Sequence, residues 1–260
     1  MKNVIYTVAL DDGPVPYHRW MAMLLISSLQ RSGFAGKVML FTDAEAQPFS
    51  MGRLNVEQVR VKWTAEQRAA EAVYRMKYLV AEMLPTDADW LMHVDPDCLV
   101  LRNPEMVLTG EATVLYAEEP WSTVVDEQNN AYLTDEEMKT QRHPAVNAGV
   151  YAHRGNIFRE FVATWKAHDE SPPLRKNCAR DQPPFVRTLL DWRQPARPFR
   201  EPFAIRYPEY EDVRLSGLFR AGILHFNGVP PAEKFRRMLG FYTMLHGESL
   251  APFLMEVLQG

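Results

Sequence analysis

The chain has 260 residues, of which 47% are hydrophobic and 24% are charged, and its formal net charge is −4. This composition is typical of a globular protein of one large domain or two small ones, and the acidic balance argues against a general nucleic-acid binder. The two cysteines, Cys98 and Cys178, cannot form a disulfide framework and lack metal-ligand spacing, so we interpret both as structural thiols in a reducing compartment. The first residues are too short an apolar run for a signal peptide, and no stretch is apolar enough to span a membrane, so we expect a cytoplasmic protein without a transmembrane segment.

The first third of the chain predicts alternating strands and helices. Residues 4–10 are an apolar, β-rich run that ends at two aspartates and a glycine, and residues 20–29 carry apolar side chains at helical spacing before Ser32 and Gly33. Further strands are predicted near residues 38–42 and 56–63. This order of elements indicates an α/β fold with a mainly parallel central sheet flanked by helices.

A helix is predicted over residues 66–84, and we expect Pro85, the next residue, to end it. Its apolar stripe has helical spacing and comprises Val73, Met76, Val80 and Met83. Arg75 and Lys77 lie off this stripe. We expect either that both belong to a solvated basic face or that one of them reaches a phosphate group.

Residues 90–104, WLMHVDPDCLVLRNP, predict a buried strand that ends in a pair of carboxylates. Pro96 lacks a backbone donor and belongs where strand pairing stops, which places Asp95 and Asp97 at the strand end. Open α/β sheets bind ligands at the carboxyl ends of their strands. Such an all-oxygen pair suits Mg²⁺ or Mn²⁺ better than zinc, although a short Asp-x-Asp motif is also common in simple polar turns.

The segment after these carboxylates predicts a strand over residues 113–117, a loop over residues 121–142 with a short helix at 135–140, and a strand over residues 146–151. The glycine in that last strand, Gly149, indicates close approach of a backbone or a ligand. Asn156 is a predicted cap for the next helix. The apolar stripe of that helix consists of Ile157, Phe158, Phe161, Val162 and Trp165.

Residues 172–208 hold eight of the 19 prolines but also several aromatic side chains, so we expect a packed, irregular subregion rather than a linker. Between Arg175 and Arg206 there are eight basic and three acidic residues, which indicates either an anionic ligand or a scatter of solvated arginines. A last short strand is predicted at residues 223–226. Residues 233–258 predict a helical tail with a break near residues 247–252.

Four motifs in this order resemble glycosyltransferase family 8, the glycogenin and bacterial galactosyl- and glucosyltransferase group. They are the first strand and helix (residues 4–29), Arg75-Met76-Lys77-Tyr78 before Asp95-Pro96-Asp97, Asn147-Ala148-Gly149-Val150, and Asp181-Gln182 followed by His225-Phe226-Asn227-Gly228. The resemblance covers roughly residues 3–234 and implies a single GT-A domain, a Rossmann-like nucleotide-diphospho-sugar transferase, over residues 1–260. Residues 172–208 would then be its acceptor side.

The resemblance implies a hexosyltransferase that uses a UDP-sugar donor and retains the anomeric configuration. Asp95, Asp97 and His225 would hold Mn²⁺ or Mg²⁺. The expected donor-binding residues are Val8, Ala9, Asp11, Tyr17, Lys77, Asp95, Asn147 and Gly228. Asp181 and Gln182 would meet the donor sugar at the catalytic centre, and we assign Asp181 sugar binding or electrostatic support rather than nucleophilic attack. The acceptor, a glycan, a lipid-linked group or a protein, is open, and the basic subregion favours an anionic one.

The sequence departs from the family pattern at two places. The family has a lysine soon after its His-Phe-x-Gly segment, whereas here Pro230 and Pro231 intervene and the lysine comes later, at Lys234. His93 stands where an aromatic residue is common, on the same strand face as Asp95 by parity. It is therefore either a core histidine or a competitor of His225 for the metal.

Two other classes of protein stay open. In a haloacid-dehalogenase-like phosphatase, Asp95 would be the nucleophile and Asp97 the general acid, but that motif normally lies near the N-terminus, and we find no later Gly-Asp-x-x-x-Asp to complete a magnesium site. A non-catalytic nucleotide-sugar-binding module with a decayed site is the other alternative. The presence of both carboxylates, His225 and Asp181 argues mildly against it.

Overall fold

The structure is a computed structural model that describes residues 2–11, 13–43, 54–62, 64, 72–141, 144–177, 180–200, 204–206 and 221–247. Over these ranges the strands are β1 (Asn3–Ala9), β2 (Lys37–Thr42), β3 (Asn55–Arg60), β4 (Trp90–Val94), β5 (Cys98–Val100), β6 (Val114–Thr123), β7 (Pro144–Arg154), β8 (Ala196–Pro198), β9 (Ala204–Arg206) and β10 (Ile223–His225). The α-helices are α1 (Tyr17–Arg31), α2 (Met76–Leu79), α3 (Asp135–Thr140), α4 (Phe158–Glu170), α5 (Gln182–Asp191) and α6 (Pro231–His246).

The described strands form a seven-stranded sheet in the order β3-β2-β1-β4-β7-β6-β8. Strands β2 and β3, β1 and β4, and β6 and β8 pair in parallel, whereas β7 runs antiparallel to β4 and β6. The predicted α/β class with a mostly parallel central sheet flanked by helices is therefore confirmed, and it is compatible with a Rossmann-like fold. In a second sheet of three strands, β10 pairs antiparallel with β5 and parallel with β9.

The chain divides into two compact units. Unit 1 comprises Met1–Tyr6, Thr64–Val94 and Glu105–Pro202. Unit 2 comprises Thr7–Trp63, Asp95–Pro104 and Phe203–Gly260. Each unit has buried apolar side chains of its own, and the single transferase domain expected over residues 1–260 stays a prediction.

The core of unit 1 is aromatic. Trp165 on α4 and Phe185 on α5 meet edge to face at 4.8 Å, and both contact the ring of Tyr151 on β7. The predicted stripe of α4 is buried, but the predicted cap at Asn156 is wrong, because the helix begins at Phe158 and has no side-chain cap. Gly155 precedes this helix where a Cβ atom would lie 2.0 Å from the Ala88 carbonyl oxygen, so only glycine fits.

The core of unit 2 lies between α1, α6 and the small sheet. Every residue of α1 from Met21 to Leu29 is buried, and the helix ends, as predicted, before Gly33, whose φ of 81° is left-handed. Ser27 shares a 2.6 Å hydrogen bond with the hydroxyl of Tyr242 on α6, and Ser28 Oγ accepts one of 2.9 Å from the Val100 amide. These polar contacts fix α1 against both α6 and β5.

The helical segment before β4 differs from the prediction. Its part at residues 66–71 lies outside the described residues, and the rest is two 3₁₀ turns, Ala72–Arg75 and Val80–Met83, around the short α2. Because a 3₁₀ turn has three residues rather than 3.6, the buried face shifts along the segment. Met83 is consequently half exposed, against prediction, and Lys77 is buried rather than solvated.

The elements after β5 agree with the predictions in part. Strand β6 continues to Thr123, so the loop predicted from residue 121 begins later, whereas the short helix Asp135–Thr140 is confirmed and has a Thr134–Glu137 capping box. The subregion at residues 172–208 is more regular than expected, because it contains α5 and β8. The C-terminal helix ends at His246 with Gly247 as its C-cap, and residues 248–258 of the predicted tail lie outside the described residues.

Among the residues that the structure describes, no helix combines the length and the apolar character needed to cross a membrane.

A buried histidine predicts how the stability of the protein depends on pH. Burial, followed by the nearby charge of His93, lowers the pKa of His153 to about 3. The unfolded chain therefore takes up this proton below pH 6.5, and the stabilisation is lost as the pH falls from 6.5 towards 3. We expect the free energy of unfolding to fall by about 2 kcal/mol between pH 7 and pH 5 through this group alone. The measurement is urea unfolding at both pH values, and His153→Phe should lose this component.

A matched control for this prediction is Phe161→Leu, which removes packing against the same imidazole ring. It should lower the stability by similar amounts at pH 7 and pH 5, because it removes no proton-binding group. An equal pH dependence in wild type and His153→Phe would show that His153 does not carry the linkage.

Candidate functional site

The predicted carboxylate pair lies in unit 2, in the turn that follows β4 and precedes β5. Strand β4 ends at Val94, Asp95 follows it directly, and Pro96 sits in the turn where strand pairing has stopped, as predicted. Asp97 is buried, whereas Asp95 is partly exposed. The two carboxylates converge through this turn rather than through the alternation of an extended strand.

His225, at the end of β10, joins the two carboxylates. Its Nε2 atom lies 3.2 Å from Asp97 Oδ1 and 3.7 Å from Asp95 Oδ2. The amide of Phe226 donates a 2.8 Å hydrogen bond to the Asp97 carbonyl, which fixes the end of β10 beside the turn. The structure thus brings together the three side chains that the sequence predicts as metal ligands.

Lys234, in the first turn of α6, places its ammonium group on the same carboxylate. Its Nζ atom lies 2.5 Å from Asp97 Oδ2. Burial alone would raise the pKa of Asp97, but the charges of His225 and Lys234 and their hydrogen bonds outweigh it and hold this pKa well below its ordinary value. Pro230 and Pro231 therefore do not carry this lysine away from the site, which sequence spacing alone could not show.

The donor set fits a divalent cation. Both carboxylates lie within 3.7 Å of the His225 nitrogen. Two carboxylates and one imidazole nitrogen are donor types that suit Mn²⁺, whereas Mg²⁺ prefers oxygen ligands throughout. The sequence missed one further group, because the Cys98 sulfur lies within 4.8 Å of ligand atoms on both Asp97 and His225. No spacing rule reveals it, since His225 reaches Cys98 only through the pairing of β5 with β10.

The residues expected to bind the nucleoside lie around the start of α1. Val8 and Ala9 are buried in β1. The Asp11 carboxylate accepts 2.9 Å hydrogen bonds from the His18 amide and from Arg19 Nε, so it caps α1 from outside the helix. Burial acts to raise the pKa of Asp11, but hydrogen bonds from the side chains of His18 and Arg19 and from the His18 amide lower it overall.

Two other expected donor-binding residues also belong to unit 2. Tyr17 packs edge to face on Trp20 at 5.5 Å and against Phe235 at 6.3 Å. Gly228 has a φ of 83°, a left-handed conformation that a side chain would strain, so the turn between β10 and α6 depends on it. These positions agree with a structural role, and a role in nucleoside binding stays a prediction.

A second polar cluster, in unit 1, contains the predicted residues Lys77 and Asp181. The Lys77 ammonium lies 2.8 Å from Asp181 Oδ2 and donates a 3.1 Å hydrogen bond to the Ala148 carbonyl. Both side chains are less than a tenth exposed. Lys77 is thus a buried counter-ion of Asp181, a pairing that residue spacing does not reveal.

Lys77 binds the carbonyl of Ala148 at an irregularity in the pairing of β6 with β7. The pairing of β6 with β7 jumps between Tyr116 and Ala117, which leaves the residues after Asn147 out of that ladder. The Asn147 side chain accepts a 2.8 Å hydrogen bond from the Gly149 amide and donates one of 2.8 Å to buried Glu119. Glu119 is a buried carboxylate that the sequence did not single out, and the close approach of a backbone or a ligand at Gly149 stays a prediction.

The backbone before α5 holds Asp181 in place. Arg180 has a φ of 55°, the only positive value for a non-glycine residue in the described ranges. Its amide and carbonyl groups both bind the Asn177 side chain, and the Asp181 carbonyl accepts a 3.2 Å hydrogen bond from Trp165. Gln182, the first residue of α5, donates to Asn129 at 3.1 Å.

Three of the eight basic residues of the Pro-rich subregion bind groups within unit 1. Arg175 binds Asp135 and the Leu133 carbonyl, and Arg187 binds Glu137 and Asp191. Arg197 donates to the carbonyls of Thr109 and Pro198. The local excess of basic residues therefore does not by itself indicate an anionic acceptor.

The contact between Lys234 and Asp97 predicts a competition with metal ions. We expect Lys234→Met to raise the affinity for Mn²⁺ in the absence of nucleotide by roughly fivefold, because it removes a cation worth on the order of 1 kcal/mol from a ligand oxygen. Titration calorimetry measures it. Arg237→Met is the matched control, since Arg237 lies on the same helix and pairs with Glu233. Unchanged or weaker Mn²⁺ binding in Lys234→Met would contradict the competition.

The buried pair in unit 1 predicts a large effect on stability. Lys77→Met should lower the free energy of unfolding by about 3–5 kcal/mol, because buried Asp181 loses the positive charge that lies 2.8 Å from its carboxylate. The double variant Lys77→Met, Asp181→Leu should recover much of this loss. Lys166→Met, which breaks the exposed pair with Glu170, should cost less than about 1 kcal/mol. Urea unfolding compares the variants, and equal losses for Lys77→Met and Lys166→Met would exclude a buried pair.

Comparison with protein-family models finds no match, and comparison with curated proteins finds no significant match.

Proposed function

We propose that this chain is a metal-dependent glycosyltransferase of the GT-A fold, similar to glycosyltransferase family 8, that moves a hexose from a UDP-sugar to an acceptor with retention of configuration. One observation carries the proposal. Asp95 and Asp97, directly after a sheet strand, both lie within 3.7 Å of the same imidazole nitrogen of His225. The mostly parallel sheet supports the proposal at the level of the fold, because such sheets bind ligands at the carboxyl ends of their strands.

Asp95, Asp97 and His225 would hold the cation, and Mn²⁺ fits this donor set better than Mg²⁺. When bound, the metal neutralises charge that develops on the diphosphate leaving group. Lys234 can exchange its contact with Asp97 for a phosphate oxygen, because both acceptors are anionic. The chain thereby offers a second positive charge for the same leaving group.

The sugar-contacting roles of Asn147, Asp181 and Gln182 remain part of the proposal. Asp181 is paired with Lys77 at 2.8 Å, which stabilises its charged form but occupies a carboxylate oxygen. This arrangement suits hydrogen bonding or electrostatic support better than nucleophilic attack. The acceptor, whether a glycan, a lipid-linked group or a protein, is left open.

The proposal predicts metal-dependent binding of UDP. In titration calorimetry, wild-type protein should bind UDP in the presence of Mn²⁺ and lose roughly 100-fold in affinity without it, because the diphosphate then meets two carboxylates without the positive charge of the metal. The double variant Asp95→Ala, Asp97→Ala should lose the effect of Mn²⁺, and His225→Ala should weaken it. Uridine monophosphate should gain little from Mn²⁺, because it lacks the diphosphate.

Glu57→Gln is the matched control for these variants, since it removes a carboxylate of β3 in unit 2 that pairs with Lys37. It should bind UDP as the wild type does. UDP binding that ignores both Mn²⁺ and the two aspartates would contradict the proposal. Hydrolysis of a simple aryl phosphate that depends on Asp95 would instead favour the phosphatase alternative.

A further inference from the structure

The small sheet of unit 2 brings a thiol to the candidate metal site. Strands β5 and β10 are antiparallel, and their register places His225 directly opposite Cys98. Side chains of such a cross-strand pair lie on the same face of the sheet, with Cβ atoms about 5 Å apart. Asp97 precedes Cys98 in the chain, and the ligand atoms of all three residues lie within 4.8 Å of one another.

We propose that Asp97, Cys98 and His225 form a site for thiophilic metal ions, with Zn²⁺ as the preferred ion. The three donors are a carboxylate, a thiol and an imidazole, all buried, and Cys98 is fully so. Thiolate sulfur selects Zn²⁺ over Mn²⁺ and Mg²⁺, which favour oxygen ligands. This site does not depend on any binding of a nucleotide sugar.

Charge and geometry both suit this ion. Two ligands of a tetrahedral Zn²⁺, at about 2.3 Å for sulfur and 2.0 Å for nitrogen, lie about 3.5 Å apart, so the present spacing closes with side-chain shifts of about 1 Å. On binding, the Cys98 thiol releases its proton to solvent and the S–Zn bond forms. The Cys98 thiolate and the carboxylates of Asp97 and Asp95 then balance the two charges of the ion and the single charge of Lys234, which a buried site requires.

The same ligands make zinc a competitor of manganese. Asp97 and His225 belong to both donor sets, so one ion excludes the other. Zn²⁺ should therefore displace Mn²⁺ and, if the proposed function holds, inhibit UDP binding that depends on Mn²⁺. Cys98 is the residue that distinguishes the two ions, because only Zn²⁺ gains from the sulfur.

Co²⁺ is the probe that tests this site, because a thiolate ligand gives it a strong near-ultraviolet charge-transfer absorption. We expect this band in the wild type and in Cys178→Ser, which removes the other thiol. It should be absent in Cys98→Ser and Cys98→Ala, whose folding is checked by circular dichroism. Added Zn²⁺ should abolish the band, and Cys98→Ser should weaken Zn²⁺ binding by about tenfold or more while changing Mn²⁺ binding by less than about twofold.

Absence of the band in wild-type protein, or its persistence in both folded Cys98 variants, would overturn the thiolate site. This result is separate from the proposed function. A Co²⁺–thiolate band without Mn²⁺-dependent UDP binding would retain the zinc site and reject the transferase proposal. UDP binding that needs Mn²⁺, without a Co²⁺–thiolate band, would retain the transferase proposal and reject the zinc site.

Discussion

The buried carboxylate of Asp97 is the group on which the arrangement of unit 2 depends. Its two oxygens contact His225 at 3.2 Å and Lys234 at 2.5 Å, and its backbone carbonyl accepts the Phe226 amide. A buried anion is costly unless it is paired, so the turn after β4, the end of β10 and the start of α6 must all meet at this point. A divalent cation would satisfy the same requirement. The group that organises unit 2 is therefore also the one at which we propose the metal site.

Unit 1 also contains a buried carboxylate, that of Asp181, which is paired with a protein cation. Lys77 neutralises Asp181 and also takes up the Ala148 carbonyl that the irregularity of β7 leaves out of the sheet. The strained backbone of Arg180 and the buried Asn147–Glu119 hydrogen bond surround this pair with further ordered polar groups. Buried polar groups that are fully paired specify one arrangement, and such clusters are also where functional groups are found. Whether this one binds a ligand is a separate question from the metal site.

The sequence predicts those features that depend on neighbouring residues. The end of α1, the turn at Pro96 and the stripe of α4 follow from local periodicity and backbone chemistry, and all three are present. The convergence of Asp95 and Asp97 with His225 came instead from the family resemblance, because these residues are far apart in the chain. Burial of Lys77 and exposure of Met83 escaped prediction because 3₁₀ turns change the helical face. Two contacts could not be read from the sequence at all: the one between Lys234 and Asp97, which depends on the path of α6, and the one that brings Cys98 to His225, which depends on strand register.

We propose that Asp95, Asp97 and His225 hold a metal ion that also binds the diphosphate of a nucleotide. Pulsed electron paramagnetic resonance of Mn²⁺ bound to the protein with UDP tests this claim directly, because it detects the nuclei bonded to the ion. If His225 and the diphosphate both bind the ion, the spectrum should show nitrogen coupling from one imidazole and phosphorus coupling from the diphosphate. The nitrogen coupling should be lost in His225→Ala. A Mn²⁺ spectrum with phosphorus coupling alone, identical in wild type and in His225→Ala, would show that the metal arrives with the nucleotide and is not held by this site.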